Sequence, residues 1–243
     1  MSPAPHEYQG GGSVQDGIDG NYDFDIGAVI SQAWEMTNGT KGTIWLAILF
    51  YLLASIPVSF AVEFGLRMIG MTNDPTTGML AKSLFVVTSQ LIQLFVGVPL
   101  MTGMFVIGIK LAADAPTESS EVFAQFPKVL KLVGTALLSY LIIGIGFCLL
   151  VLPGIYLSVS YAFALPLVAE KGLAPWEALE ASRKTVTHHW FKLFFLYIVI
   201  AIIGAVSAIP VGLGLIWTVP MSFLVGGLMY LKMFGLNKAS AAE

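Results

Sequence analysis

The chain reads as an all-α integral membrane protein: six transmembrane helices in three hairpins, with an amphipathic interfacial helix before each hairpin. Three observations carry this. No charged side chain lies between Lys131 and Glu170, or between Lys192 and Lys232. Each stretch is about twice the roughly 20 residues that cross a bilayer once. Each is also broken near its middle, by Pro153-Gly154 in the first and by Pro210-Val211-Gly212-Leu213-Gly214 in the second. A break in so long an uncharged run reads as a tight turn between two crossings. Finally, hydrophobic residues make up 56% of the chain and charged residues 11%, against about 45–50% and about 25% in soluble domains. A chain of 243 residues cannot enclose a core large enough to hide that much apolar surface.

Met1 to Tyr22 is acidic and rich in Gly, Pro and Ser, with no basic segment followed by an apolar one. It lacks the pattern of a cleaved signal and reads as a disordered tail over 1–22, ahead of a membrane domain over 23–236 and a short tail over 237–243. From Asp25 to Thr37, Ile26, Val29, Ile30, Ala33 and Thr37 fall at helical spacing on one face, and Asn38-Gly39 supplies a C-terminal stop. The first crossing follows over Thr43–Met68, the second over Ser83–Ala112. A shorter amphipathic copy, Thr117 to Phe126, is interrupted by Pro127 and places Val122, Phe123 and Phe126 before the third crossing, Val129–Leu152. The fourth, Ile155–Glu170, barely reaches across an apolar slab about 30 Å thick, and a re-entrant hairpin would leave the same pattern. Pro175, suited to a first helical position, opens a third amphipathic segment to His188, with Trp176, Leu179, Val186 and Trp190 in register. Phe191–Ile209 and Gly212–Phe234 complete the six.

Six crossings put both termini on one side, together with Lys41, Lys110, Lys128, Lys131, Lys171, Arg183, Lys184, Lys192, Lys232 and Lys238, and leave only Arg67 and Lys82 opposite. Cytoplasmic loops carry the excess of cations, so both termini are expected in the cytoplasm. The amphipathic segment and hairpin recur three times, with prolines late in each odd crossing (Pro57, Pro153, Pro210) and in each even one (Pro99, Pro166, Pro220).

Chemistry is sparse. Glu63 and Arg67, four residues apart, can pair on one helix face; Gln90 and Gln93 lie inside the second crossing. Together they are a candidate polar path, although amides there also serve as interhelical glue. Arg183, Lys184, His189 and Lys192, around Trp190, are candidate contacts for anionic lipid headgroups, where positive-inside topology alone would also place cations. His188 and His189 are adjacent and point about 100° apart on a helix, so they cannot chelate one metal together. Small residues four apart, as in Ala201/Ala205, Gly204/Ala208 and Ser222/Gly226, suit close helix contact. No catalytic constellation, cofactor or metal is expected, and a net charge of −3 without a basic stripe gives no reason to expect nucleic acid. The expected partners are the bilayer, a membrane protein or a second copy of the chain. The leading reading is a non-enzymatic scaffold or regulator of a membrane partner or of lipid; the alternative is a small-solute transporter or channel.

The segments Leu152-Pro-Gly-Ile-Tyr-Leu, Ala164-Leu-Pro-Leu-Val-Ala-Glu-Lys-Gly and Pro175-Trp-Glu-Ala-Leu-Glu-Ala-Ser-Arg-Lys-Thr-Val-Thr-His-His-Trp-Phe-Lys-Leu resemble a family of bacterial six-pass membrane proteins of unknown function. That family is similar to the membrane domain attached to some glycerophosphodiester phosphodiesterases. The resemblance spans roughly Asp25 to Phe234 and is clearest from Leu152 to Leu193. It implies the six-pass fold and a bacterial inner membrane but no activity, since the catalytic barrel of those phosphodiesterases has no counterpart here. Where such proteins often carry an aromatic residue in the amphipathic segment, this chain has Arg183, and Trp34 takes the comparable place in the first copy.

Overall fold

The computed structural model describes residues 12–68 and 78–237. Helices account for nearly all of it: α1 (Val14–Ile18), α2 (Ile26–Met68), α3 (Met79–Ala112), α4 (Val129–Leu149), α5 (Val151–Ser160), α6 (Ala164–Pro166), α7 (Pro175–His188), α8 (Trp190–Ala208) and α9 (Leu215–Phe234). Six stretches are long and apolar enough to cross a membrane: Ile26–Met68, Met79–Ala112, Ser119–Leu149, Val151–Lys171, Trp190–Ala208 and Leu215–Phe234.

Three expectations about the flanking segments are corrected. Asn38-Gly39 does not end a separate amphipathic helix, because α2 runs unbroken through it for 43 residues, about 65 Å. The apolar stripe on Val29, Ala33 and Thr37 continues in phase to Ile44 and Ala47, all buried, so stopping at Gly39 would abandon a continuous packing face. The middle copy is not an α-helix but two 3-10 turns, Ser119–Phe123 and Phe126–Lys128; Pro127 removes a donor that an α-turn would need. Only α7 forms as a separate amphipathic helix, with Pro175 at its first position and Glu177 accepting from the Ala174 N–H at 3.2 Å.

Of the expected disordered tail, residues 12–22 instead pack against the rest of the chain, while residues 1–11 and 238–243 lie outside the described residues. Ser13 caps α1 through a reciprocal box with Asp16. The segment then lies against α7 and α9: Gly12 and Gly17 approach the Met233 carbonyl so closely that a Cβ at either would clash with it. The Tyr22 hydroxyl donates to the Thr185 carbonyl at 2.8 Å. A polar, Gly-rich sequence forms this strap because helix ends elsewhere offer it partners.

The hairpin turns fall close to expectation. The first break sits at Leu150, in extended conformation, rather than at Pro153; Pro153 instead occupies the first turn of α5, where its missing N–H would have no partner anyway. The second occupies 209–214, with Val211 and Gly212 at positive φ (54° and 77°). The fourth apolar stretch is broken again at 161–163, then resumes as α6 and a π-turn, Leu167–Lys171, that ends on Gly172 at φ 72°.

Packing is uneven along the molecule. The core gathers residues 29–47 of α2, 98–112 of α3, the first half of α4, 163–169, α7 and most of α9. Phe163, Tyr230 and Phe234 lie at its centre, fully buried, with ring centroids 5.2–6.4 Å apart. α3 and α9 approach where Gly227 faces the Gly108 carbonyl, closer than any side chain would permit. By contrast the second half of α2 and the first half of α3 expose Leu49, Leu53, Phe60, Phe64, Leu80, Leu84 and Phe95. An apolar surface of that extent suits hydrocarbon.

Candidate functional site: two clefts and the N-terminal strap

The basic cluster expected to meet lipid headgroups is already paired within the chain. Glu180 accepts from Arg183 Nε and Nη2 at 3.0 and 2.8 Å and lies 3.5 Å from Lys184 Nζ. The Arg183 guanidinium holds the Glu180 carboxyl below the ordinary carboxylate range, with Lys184 a lesser contributor. Lys192 Nζ bonds Asp23 at 2.5 Å and lies 5.9 Å from the centre of the Phe24 ring. That hydrogen bond is the first cause of a depressed pKa at Asp23, followed by the Phe24 N–H. His189 Nε2 bonds the Tyr22 carbonyl at 2.8 Å, and its ring packs edge-on to Tyr22 at 4.9 Å. His188 Nε2 bonds the Ile18 carbonyl at 2.9 Å. His189 caps the junction between α7 and α8, and each imidazole pins a different point of the strap.

A cleft of about 680 Å³ opens between the start of α5 and the start of α8. Leu152, Ile155, Trp190, Phe191 and Phe194 give it an apolar wall; Tyr156, Thr187, His188, His189 and Lys192 give it a polar rim. The rim is tied together, since the Tyr156 and Thr187 hydroxyls share a bond of 2.7 Å and the Trp190 indole donates to the Tyr156 carbonyl at 3.1 Å. Behind it, buried Ser182 repairs the broken fourth stretch: its hydroxyl donates to the Ser160 carbonyl at 2.7 Å and accepts from the Phe163 N–H at 3.3 Å. Of the four residues expected to contact headgroups, His189 and Lys192 line the cleft, while Arg183 and Lys184 do not.

The candidate polar path lies elsewhere and does not assemble around one point. Gln93 is the member whose side chain meets the facing helix, at 3.4 Å from the Ser59 hydroxyl. Gln90, Glu63 and Arg67 are exposed, and Glu63–Arg67 is not among the ion pairs of the described residues.

A second cleft, about 500 Å³, lies between the end of α3, the 113–128 loop and the 169–170 turn. It is polar, and its residues were singled out in the sequence only as positive-inside lysines. Lys110, 7% exposed, pairs with Glu121 at 2.8 Å, and Lys128 donates to the Ala169 carbonyl. Beside it Glu170, also buried, accepts from the Tyr230 hydroxyl at 2.8 Å, from the Asn237 N–H and from Lys171 at 3.2 Å. That carboxylate ties the end of α9 to the π-turn. Nothing in a sequence read helix by helix signals that these residues converge.

An all-helical fold with six helices long and apolar enough to span a bilayer among the described residues, many of them exposing aliphatic and aromatic side chains, defines a polytopic integral membrane protein. Comparison with family models, curated proteins and solved structures finds no match.

Proposed function

We propose that this chain is a non-catalytic protein of the bacterial inner membrane, both termini cytoplasmic, that organises or regulates the lipid around it or a membrane partner. The observation that carries the reading is the cleft between α5 and α8: an apolar wall under a polar rim that includes Tyr156, Thr187 and Lys192. Apolar wall and polar rim are the two surfaces a phospholipid presents, a chain and a headgroup, and aromatic residues with cations belong at that depth. The rim's lysine, Lys192, is already paired with Asp23, so the chain-binding wall, not net charge, dominates selection. Kinship with the six-pass family of the resemblance belongs to this proposal too.

The test is native mass spectrometry of the full chain released from nanodiscs of mixed phosphatidylglycerol and phosphatidylcholine. The expected result is retained phospholipid that falls several-fold in Leu152→Trp, which fills the cleft from an exposed position. Equal retention by the variant would sink the reading. The transporter or channel alternative requires polar groups converging on one path, and of its four residues only Gln93 meets a facing side chain.

A further inference from the structure

We propose that Lys192 is the phosphate-binding point of the cleft between α5 and α8, and that Asp23 of the N-terminal strap holds it in place of a lipid phosphate. An anionic phospholipid entering the cleft displaces the strap. This rests on the cleft being a phospholipid site, and adds the charge of the headgroup and the regulation it exerts. Two kinds of pairing occur in the basic cluster. Arg183 and Lys184 meet Glu180 three and four residues away on their own helix, so the helix itself keeps those partners together. Lys192 instead meets a residue 169 positions away in sequence, with the Lys192 and Asp23 side chains 46% and 71% exposed. An exposed pair of that kind is worth little. It is the one charge on the rim that another anion can take over.

The strap is fastened by side chains that also line the cleft. His188, His189 and Lys192 stand on its rim, and they bond the Ile18 carbonyl, the Tyr22 carbonyl and the Asp23 carboxylate. An imidazole nitrogen that faces a carbonyl oxygen carries the proton, so both rings spend an N–H on the strap. An ionised phosphate accepts from such donors more strongly than a neutral carbonyl does. Strap and anionic headgroup therefore draw on one set of donors, and each lowers the affinity for the other by the same factor. The apolar wall selects a lipid chain; the headgroup then decides whether the strap stays. Its seat is also imperfect. Thr185 Oγ1 is buried against Gly17 with no hydrogen-bond partner among the described residues, and lifting the strap gives it water, which offsets part of the cost of release. Asp16, Asp19, Asp23 and Asp25 make the segment acidic, so an anionic leaflet repels it where a neutral one does not.

The experiment attaches a nitroxide to Asn21→Cys, at an exposed strap position, in a Cys148→Ser background of the full chain. Its mobility is read by electron paramagnetic resonance in phosphatidylcholine nanodiscs and then at rising phosphatidylglycerol content. An immobilised spectrum in phosphatidylcholine, with a several-fold rise in the mobile fraction as phosphatidylglycerol is added, is expected. Asp23→Asn frees Lys192 and should reach the same mobile fraction at several-fold less phosphatidylglycerol. Lys192→Gln removes the phosphate-binding point and should lose the dependence; both substitutions fall on exposed side chains. Leu152→Trp, by filling the cleft, should hold the strap immobile at contents that release the parent. A spectrum indifferent to phosphatidylglycerol, a Lys192→Gln response equal to the parent's, or release that persists in Leu152→Trp each overturns the proposal. Native mass spectrometry of the same samples separates the two failures. Phospholipid retained over an unmoved strap sinks the competition alone, whereas retention and release both unchanged by Leu152→Trp sink the cleft reading with it.

Discussion

Ser182 shows how one side chain decides whether a broken helix is tolerable. The fourth apolar stretch leaves the Ser160 carbonyl and the Phe163 N–H without helical partners, and the Ser182 hydroxyl serves both. A buried group stripped of its partner costs about 1–3 kcal/mol. Ser182→Ala is therefore expected to lose about that much in chemical denaturation in detergent, while Ser13→Ala, on an exposed cap, loses less. Equal losses would mean that Ser182 is not the splint. Ser182 was not legible in the sequence, where it is one polar residue on an amphipathic face. Its job exists only because a helix from elsewhere breaks beside it. His188 and His189 each bond a separate carbonyl of the strap, those of Ile18 and Tyr22.

Individual elements were legible wherever the local signal was periodic or stereochemical. Pro175 opens α7 as its fixed φ requires, and the 209–214 turn falls on the Pro/Gly run. Elements were misread where a local breaker met a longer packing face. Asn38-Gly39 has the chemistry of a helix stop, yet α2 continues because Val29, Ala33, Thr37, Ile44 and Ala47 are buried along one side. Gly39 then sits mid-helix with nothing within 4 Å of where a Cβ would stand. Gly39→Ala is expected to stabilise the protein by about 1 kcal/mol, the helix-propensity difference, read as a higher denaturation midpoint. A loss of stability would show that the chain turns there instead. The small-residue motifs divide the same way: Gly226 lies against Phe105 in the α3–α9 contact, whereas Ala201 and Ala205 are exposed on α8.

At the scale of the whole molecule the hairpins are offset. The Trp45 indole donates to the Ile216 carbonyl at 2.9 Å, and the Lys41 ammonium lies 5.4 Å from the centre of the Trp217 ring. The start of α9 thus lies beside the start of the apolar half of α2, and the two helices run along each other from there. The remainder of α2, from 46 to 68, extends about 34 Å further. Six full crossings predict that Val211→Cys, at a site 96% exposed on the α8–α9 turn, in a Cys148→Ser background, reacts with an impermeant maleimide on intact spheroplasts. Ser13→Cys in the same background should react only after lysis. Protection of position 211 until lysis would make the last hairpin re-entrant.

Hydropathy and the Pro/Gly breaks, both local properties of the chain, determined by themselves the helical class, the six apolar stretches and the neighbourhood of the two later hairpin turns. They did so because transfer into hydrocarbon is close to a sum over neighbouring residues. Depth and pairing were decided only by tertiary structure. That α2 lies along α9, that Gly227 admits the Gly108 backbone, and that Lys110, Glu121 and Gln125 enclose one polar cleft all depend on how distant helices fit, and on donors and acceptors finding partners far away in sequence.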